Sequence, residues 1–407
     1  MKNNNYSYNV NGSNSNNNNA SNERRLIPRE PCTHALEGHS NNVTCVAMHP
    51  TCTLCVSSSD DASIKIWDYE NGDYIKTLKG HTSSINAIKF TPTGSHVASA
   101  SSDWSIKIWD FKSFNCVRTL RGHDHIISDL LFLPYFSDTT DNMEDGMEES
   151  NNSNNTGLSS NITQSQQLLS CSRDETIKIW DIDTGFCNDT LQNHHTDWIR
   201  CITLNNDATV LASGGNDTII CLYQIIPGHN KFTIKGKLTG HDHVIESLSF
   251  IIQKYKPAYS PETQITGKKP SSSNNNTNIY NYLASGSRDK SIKLWDIKSL
   301  SCIHTFSFHD NWVRTVLIHP NGNYIISCSD DRTIRVIDIK VSVYGRDMFF
   351  TLCINYIFLF FDKKSNRCLR TIKDAHKHFI ASIAMHYSQP ILISGSVDYT
   401  IKCWALD

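Results

Sequence analysis

Seven times along the chain a Ser is followed four residues later by an Asp, and six residues after that by a Trp or a substitute for it. The copies are Ser57/Asp61/Trp67, Ser99/Asp103/Trp109, Ser170/Asp174/Trp180, Ser213/Asp217/Tyr223, Ser285/Asp289/Trp295, Ser327/Asp331/Ile337 and Ser394/Asp398/Trp404. His39, His81, His195, His309 and His376 each stand 28 residues ahead of the Trp position. His123 and His241 fill the same place in the two copies with longer spacing. A period of roughly 42 residues restricts the chain to a repeat architecture, in which no unit buries its own faces and neighbours must stack.

Each unit is built of short alternating or β-branched runs. In the first, VTCVAMH, TLCVSSS, SIKIWDY and YIKTL read as four strands. Four strands per unit and seven units predict an all-β, seven-bladed propeller. The segment CTHAL at Cys32 matches outer strands such as CVRTL at Cys116, and no such strand follows Trp404. The N-terminal strand is therefore expected to complete the last blade and close the ring, which removes the open edge.

The ring is expected over residues 26–407, after an Asn/Ser-rich tail at 1–25 with too little apolar content to fold. Three inserts break the period. The first, about 134–167, is an acidic loop carrying Asp138, Asp141, Glu144, Asp145, Glu148 and Glu149 with no basic residue. The second, about 253–280, holds Lys, Pro, Ser and Asn. The third, about 341–364, contains MFFTLCINYIFLFF, a run too short for an ordinary membrane span. Removing it restores the repeat, and the expectation is an unspliced intron, with a membrane-touching loop as the alternative.

The net charge of −2 gives no general attraction to nucleic acid or to an anionic membrane, and neither is expected as a partner. Among the 14 cysteines, Cys116, Cys187, Cys302 and Cys368 recur at one repeat position. They are expected to be buried thiols in a reducing compartment, in different blades and unable to pair. Cys52 and Cys55 form an isolated pair with no second pair to complete a zinc site. No phosphate loop or metal-ligand spacing appears, so neither cofactor nor metal is expected.

Ser, His and Asp together invite a hydrolase reading. Repetition argues against it, because an enzyme needs one site and this chain builds the set in blade after blade. No Gly-x-Ser-x-Gly elbow is present. The set is expected to be structural, the His bonding the Asp and the Ser, and the Ser bonding the indole. Function is expected instead at residues flanking it. Arg173 and Arg288 precede the turn Asp, and Lys290 and Arg332 follow it. Trp198 and Trp312 lie three residues past the His, trailed by Arg200 and Arg314. Arg and Trp dominate interface hot spots, and all these positions map to one rim of the ring.

The motifs IPREPCTHALEGH, SIKIWDYENGDYIKTLKGHT, CVRTLRGHDH, LASGSRDKSIKLWD, HDNWVRTVLIHP and ISGSVDYTIKCW occur in an order that resembles the lissencephaly protein family. The resemblance covers about residues 26–407 outside two of the inserts. It implies a non-enzymatic, cytoplasmic and microtubule-associated regulator of cytoplasmic dynein, active in transport, nuclear migration, mitosis and at the centrosome. It implies motor contacts at Arg173, Arg200, Arg288, Trp312 and Arg332. It further implies dynein adaptors of the nuclear distribution E type and acetylhydrolase catalytic subunits as partners. Family members carry a LisH motif and a coiled coil ahead of the ring. The 25 residues before Leu26 show neither, which leaves homodimerisation open. A scaffold for another complex, such as a ubiquitin-ligase or chromatin adaptor, is the competing reading.

Overall fold

The computed structural model describes residues 27–133, 166–226, 231–250, 282–320, 322–339, 367–386 and 388–406. Their strands form seven antiparallel four-stranded sheets. In blade one the strands are Val43–Met48, Leu54–Ser59, Ser63–Asp68 and Asp73–Lys79, from the axis outward. The first strand of the chain, His34–Glu37, pairs with the last, Thr400–Ala405. It supplies the outermost strand of blade seven, as the sequence predicts, and the ring has no open edge there.

Burial follows radial position. The second strands are almost wholly buried because a neighbouring blade covers each face. The outermost strands expose most of their residues. Between blades one and two, Val56, Ile64, Ile66 and Leu78 pack against Ile85, Ile88, Val97 and Trp109. Each such side chain contributes about 1.5–3 kcal/mol of burial. The β-branched content thus serves both strand geometry and the inter-blade core.

The outer strands correct one expectation. Cys116, Cys187 and Cys302 are exposed, and Cys368 is half-buried. Each lies opposite its blade's Trp-position residue at a bulge in the outermost strand. The Sγ turns along its own strand, as from Cys116 to the Arg118 carbonyl at 3.2 Å. A constant repeat position guarantees a constant environment, but that environment is the rim of the blade and not its interior. The described cysteines are all free thiols.

The 1–25 tail and almost all of the three inserts lie outside the described residues; Gln167, at the end of the first, already opens a strand. Their attachment points are informative. Segments 134–165 and 251–281 join an innermost strand to a second strand, and 340–366 joins a third to an outermost strand. All three attach at the end of the ring opposite the Asp turns. Across the last, the Asp338 N–H donates to the Arg367 carbonyl at 3.0 Å. Blades two and three make the same bond over a short turn, from Asp110 to Asn115 and from Asp181 to Phe186, each at 3.0 Å. Deleting 341–364 therefore leaves every pairing of blade six in place. Shortening the loop roughly sevenfold should stabilise the ring by about 2 kcal/mol through loop-closure entropy. Urea unfolding of the deletion variant checks this, and a variant that no longer folds refutes it.

Candidate functional site

The site rests on a polar scaffold repeated around the ring. In all seven blades the His Nδ1 lies 2.6–3.1 Å from the turn Asp and Nε2 lies 2.6–2.8 Å from the Ser Oγ. In five blades the Trp indole donates to that Ser at 2.8–2.9 Å. The chain of donors is consistent with a neutral imidazole: indole N–H to Ser Oγ, Ser O–H to Nε2, Nδ1–H to Asp. Every one of these Ser side chains is buried and bonded to its His, which makes the set a buried strut. Ahead of Trp67, Trp109, Trp180 and Trp295 the residue before the His is Gly. A Cβ at Gly38 would sit 3.2 Å from the Trp67 ring, so the backbone needs the space.

Two blades lack the Trp, and there the neighbouring residue fills the gap. His194 stacks edge-on against Tyr223 at 5.2 Å. Phe308 packs against the cluster containing Ile337. His195, not His194, bonds Asp217 and Ser213.

Burial lowers the pKa of His39, His81 and His376 against the pull of their Asp partners. Burial would raise Asp61 and Asp103. Bonds from Ser63 and His39 to the first, and from Ser105, the Thr82 N–H and His81 to the second, outweigh it and hold both at about 2. The sign is the same for both residue types, since the unfolded chain takes up protons that the fold refuses. Stability should be level above about pH 7 and begin to fall below the unfolded His value of 6.5. It should fall again below the unfolded Asp value of 3.8, where Asp61 and Asp103 each forfeit about 2 kcal/mol. Chemical denaturation between pH 3 and 8 measures this, and greater stability at pH 5 than at pH 8 contradicts it.

Two features aim side chains from this scaffold. The residue after each turn Asp adopts positive φ: Ala62, Trp104, Glu175, Thr218, Lys290, Arg332 and Tyr399, at 61–71°. On each innermost strand the ladder skips one residue, giving bulges at Thr44, Asn86, Ser128, Arg200, Glu246, Arg314 and Ala381. Bulges re-aim side chains, and here Asn86 and Ser128 are turned to bond with the next blade.

Where blades three and four meet, the Arg200 guanidinium lies 3.7 Å from the Trp198 ring centroid and that of Arg173 lies 5.1 Å from it. The Trp198 indole donates to Ser128. Arg200 Nε donates to Asn216 at 2.9 Å. Burial, joined by the charges of Arg288 and Arg314, lowers the Arg200 pKa against the pull of Glu246. Where blades five and six meet, Arg288 and Arg314 stack on Trp312 at 4.3 and 5.1 Å. Arg314 grips Asp330 with two bonds of 2.8 and 2.9 Å. Glu246 accepts from Arg288 and lies 3.8 Å from Arg314. Burial works against Arg314's charge, but Asp330 and Glu246 raise its pKa overall.

The structure thus brings Arg173 and Arg200 together on Trp198, and Arg288 onto Trp312. Arg332 stands apart, 52% exposed and 3.4 Å from Asp374. Sequence reasoning missed Glu246, which ties Arg288 to Arg314. Its signal is positional: it follows the first buried residue of an innermost strand, as Arg200 and Arg314 do. Among the described residues no group of His, Cys, Asp or Glu could hold a metal ion.

The WD domain, G-beta repeat model matches residues 30–68, 72–110, 156–181, 185–224, 271–296, 300–338 and 366–405. The chain is 35% identical over 357 residues to the nuclear distribution protein PAC1 of Coccidioides posadasii, covering 88% of this chain and 65% of that protein. It is equally similar to PAC1 of Arthroderma otae, with 67% of that protein covered. It is 34% identical over 359 residues to the nuclear distribution protein nudF of Emericella nidulans, covering 88% of this chain and 67% of that one. It spans about two thirds of the length of these relatives. The period, the ring and these likenesses agree: the chain belongs to the WD-repeat family of nuclear distribution proteins.

Proposed function

We propose that this ring is a non-enzymatic regulator of cytoplasmic dynein that grips the motor domain through its arginine–tryptophan rim. The observation that carries the reading is the pair of guanidinium–indole stacks at the blade three/four and five/six junctions. Four guanidinium groups and two half-buried indoles share one rim, and among the described residues Glu246 and Asp330 are the acids paired with them, a surface suited to an acidic partner face. The family membership supports the choice of motor, and with it roles in microtubule transport, nuclear migration and mitosis. Arg332, exposed on the same rim, adds a peripheral positive charge that affects association rate more than hold. Adaptors of the nuclear distribution E type and acetylhydrolase subunits belong to the same proposal.

The test is equilibrium binding of the purified chain to a dynein motor domain at two salt concentrations. Binding that weakens as salt rises is expected. Lack of binding at low salt overturns the proposal.

A further inference from the structure

Trp104 follows the turn Asp of blade two, at φ 66°. A bulky L-residue in this left-handed region costs of order 1 kcal/mol, which Gly would avoid. The indole is nevertheless 49% exposed, resting against His125 with ring centroids 6.0 Å apart. The other two rim tryptophans, Trp198 and Trp312, each carry two guanidinium groups of this chain over their rings. Among the described residues no Lys or Arg stands over Trp104. Beside His125 lies Asp124, exposed, with its N–H donated to Asp174 at 3.1 Å and its carboxylate in no salt bridge of the described residues. An open π face is a receptor for a cation, and the exposed Asp124, one residue from the His125 that the indole rests on, adds negative charge on the same rim.

We infer that Trp104 and Asp124 receive an arginine or lysine side chain of the partner held by the rim, extending the interface one blade beyond the arginine stacks. The rim then has two complementary halves. Its blade three-to-six arc offers positive charge to the partner, and its blade two/three junction takes positive charge from it. Such a pairing of opposite signs fixes how the partner is turned on the ring. This rests on the motor domain being the partner, as proposed above.

The test compares motor-domain affinity across variants. Trp104→Gly removes the ring and relieves the backbone, so it should melt no lower than wild type and bind about tenfold more weakly. Trp104→Leu keeps apolar bulk without the π face and should lose about as much. Trp104→Phe should lose about threefold, and Asp124→Asn a similar amount. Trp104→Gly binding within twofold of wild type overturns the inference, as does Trp104→Leu binding like wild type, which marks a merely apolar contact. An Arg288→Ala, Trp312→Ala variant run alongside separates the two claims. If it loses binding while Trp104→Gly keeps it, only this inference fails. If it keeps binding while Trp104→Gly loses it, only the arginine–tryptophan reading fails.

Discussion

Replacing Arg288 and Trp312 together by Ala is expected to abolish measurable binding to a dynein motor domain, a loss of at least a hundredfold. Trp312 is the platform on which Arg288 and Arg314 lie, at 4.3 and 5.1 Å. Hot-spot residues of these types commonly cost 2 kcal/mol or more each on truncation, and two in contact act as one unit. The Arg288 change also leaves Glu246, only 10% exposed, with Arg314 at 3.8 Å as its remaining ion-pair partner among the described residues. Part of the loss is therefore reorganisation of the free ring. Arg332→Ala is the contrasting variant, because its side chain is half exposed and its one ion pair reaches the open Asp374. It should cost a few-fold in affinity, mostly in association rate, and less as salt rises. A double variant that binds within fivefold of wild type would falsify the assignment of the rim.

The largest stability effect is expected from His376→Ala. This imidazole is wholly buried in the blade that joins the two chain ends. It lies 3.1 Å from Asp398 and 2.7 Å from Ser394, which also accepts the Trp404 indole at 2.9 Å. Removing it leaves a largely buried carboxylate short of a donor and a Ser hydroxyl without its acceptor, in addition to a cavity. Breaking one side of such a pair costs about 3–5 kcal/mol, a large share of a typical folding free energy. His378→Ala, two residues on and exposed, should change stability by less than about 0.5 kcal/mol. Urea denaturation of the pair decides the matter: equal midpoints would show that the His–Ser–Asp set is dispensable for closure.

Most of the architecture was legible because the strut has rigid spacing. A Ser, an Asp and a Trp can meet one His only if their intervals are kept, so the intervals number the blades. The closing strand was legible for the same reason, since a unit was one strand short at one end and one strand long at the other. The rim arginines were visible as departures at fixed places beside the Asp turn. Glu246 was not, because an acid in a short strand has no signature until the bulge aligns it with Arg200 and Arg314. The cysteine expectation failed because periodicity reports equivalence and not depth. Nor did the sequence distinguish Trp104, bare on its turn, from Trp198 and Trp312, each clothed by one arginine of its own blade and one of the preceding blade.

The three long inserts all attach at the end of the ring away from the arginines, and the pairing of Pro28 with Leu406 puts the described chain ends there too. The molecule is therefore two-sided in what it permits. One end is the proposed working surface, with its Asp turns held to fixed length by the strut. The other is a loading side, where length and sequence can be added away from the footprint proposed for the partner. A reporter or affinity label placed at either chain end, or in the 251–281 connection, would hang from the loading side and leave the grip free.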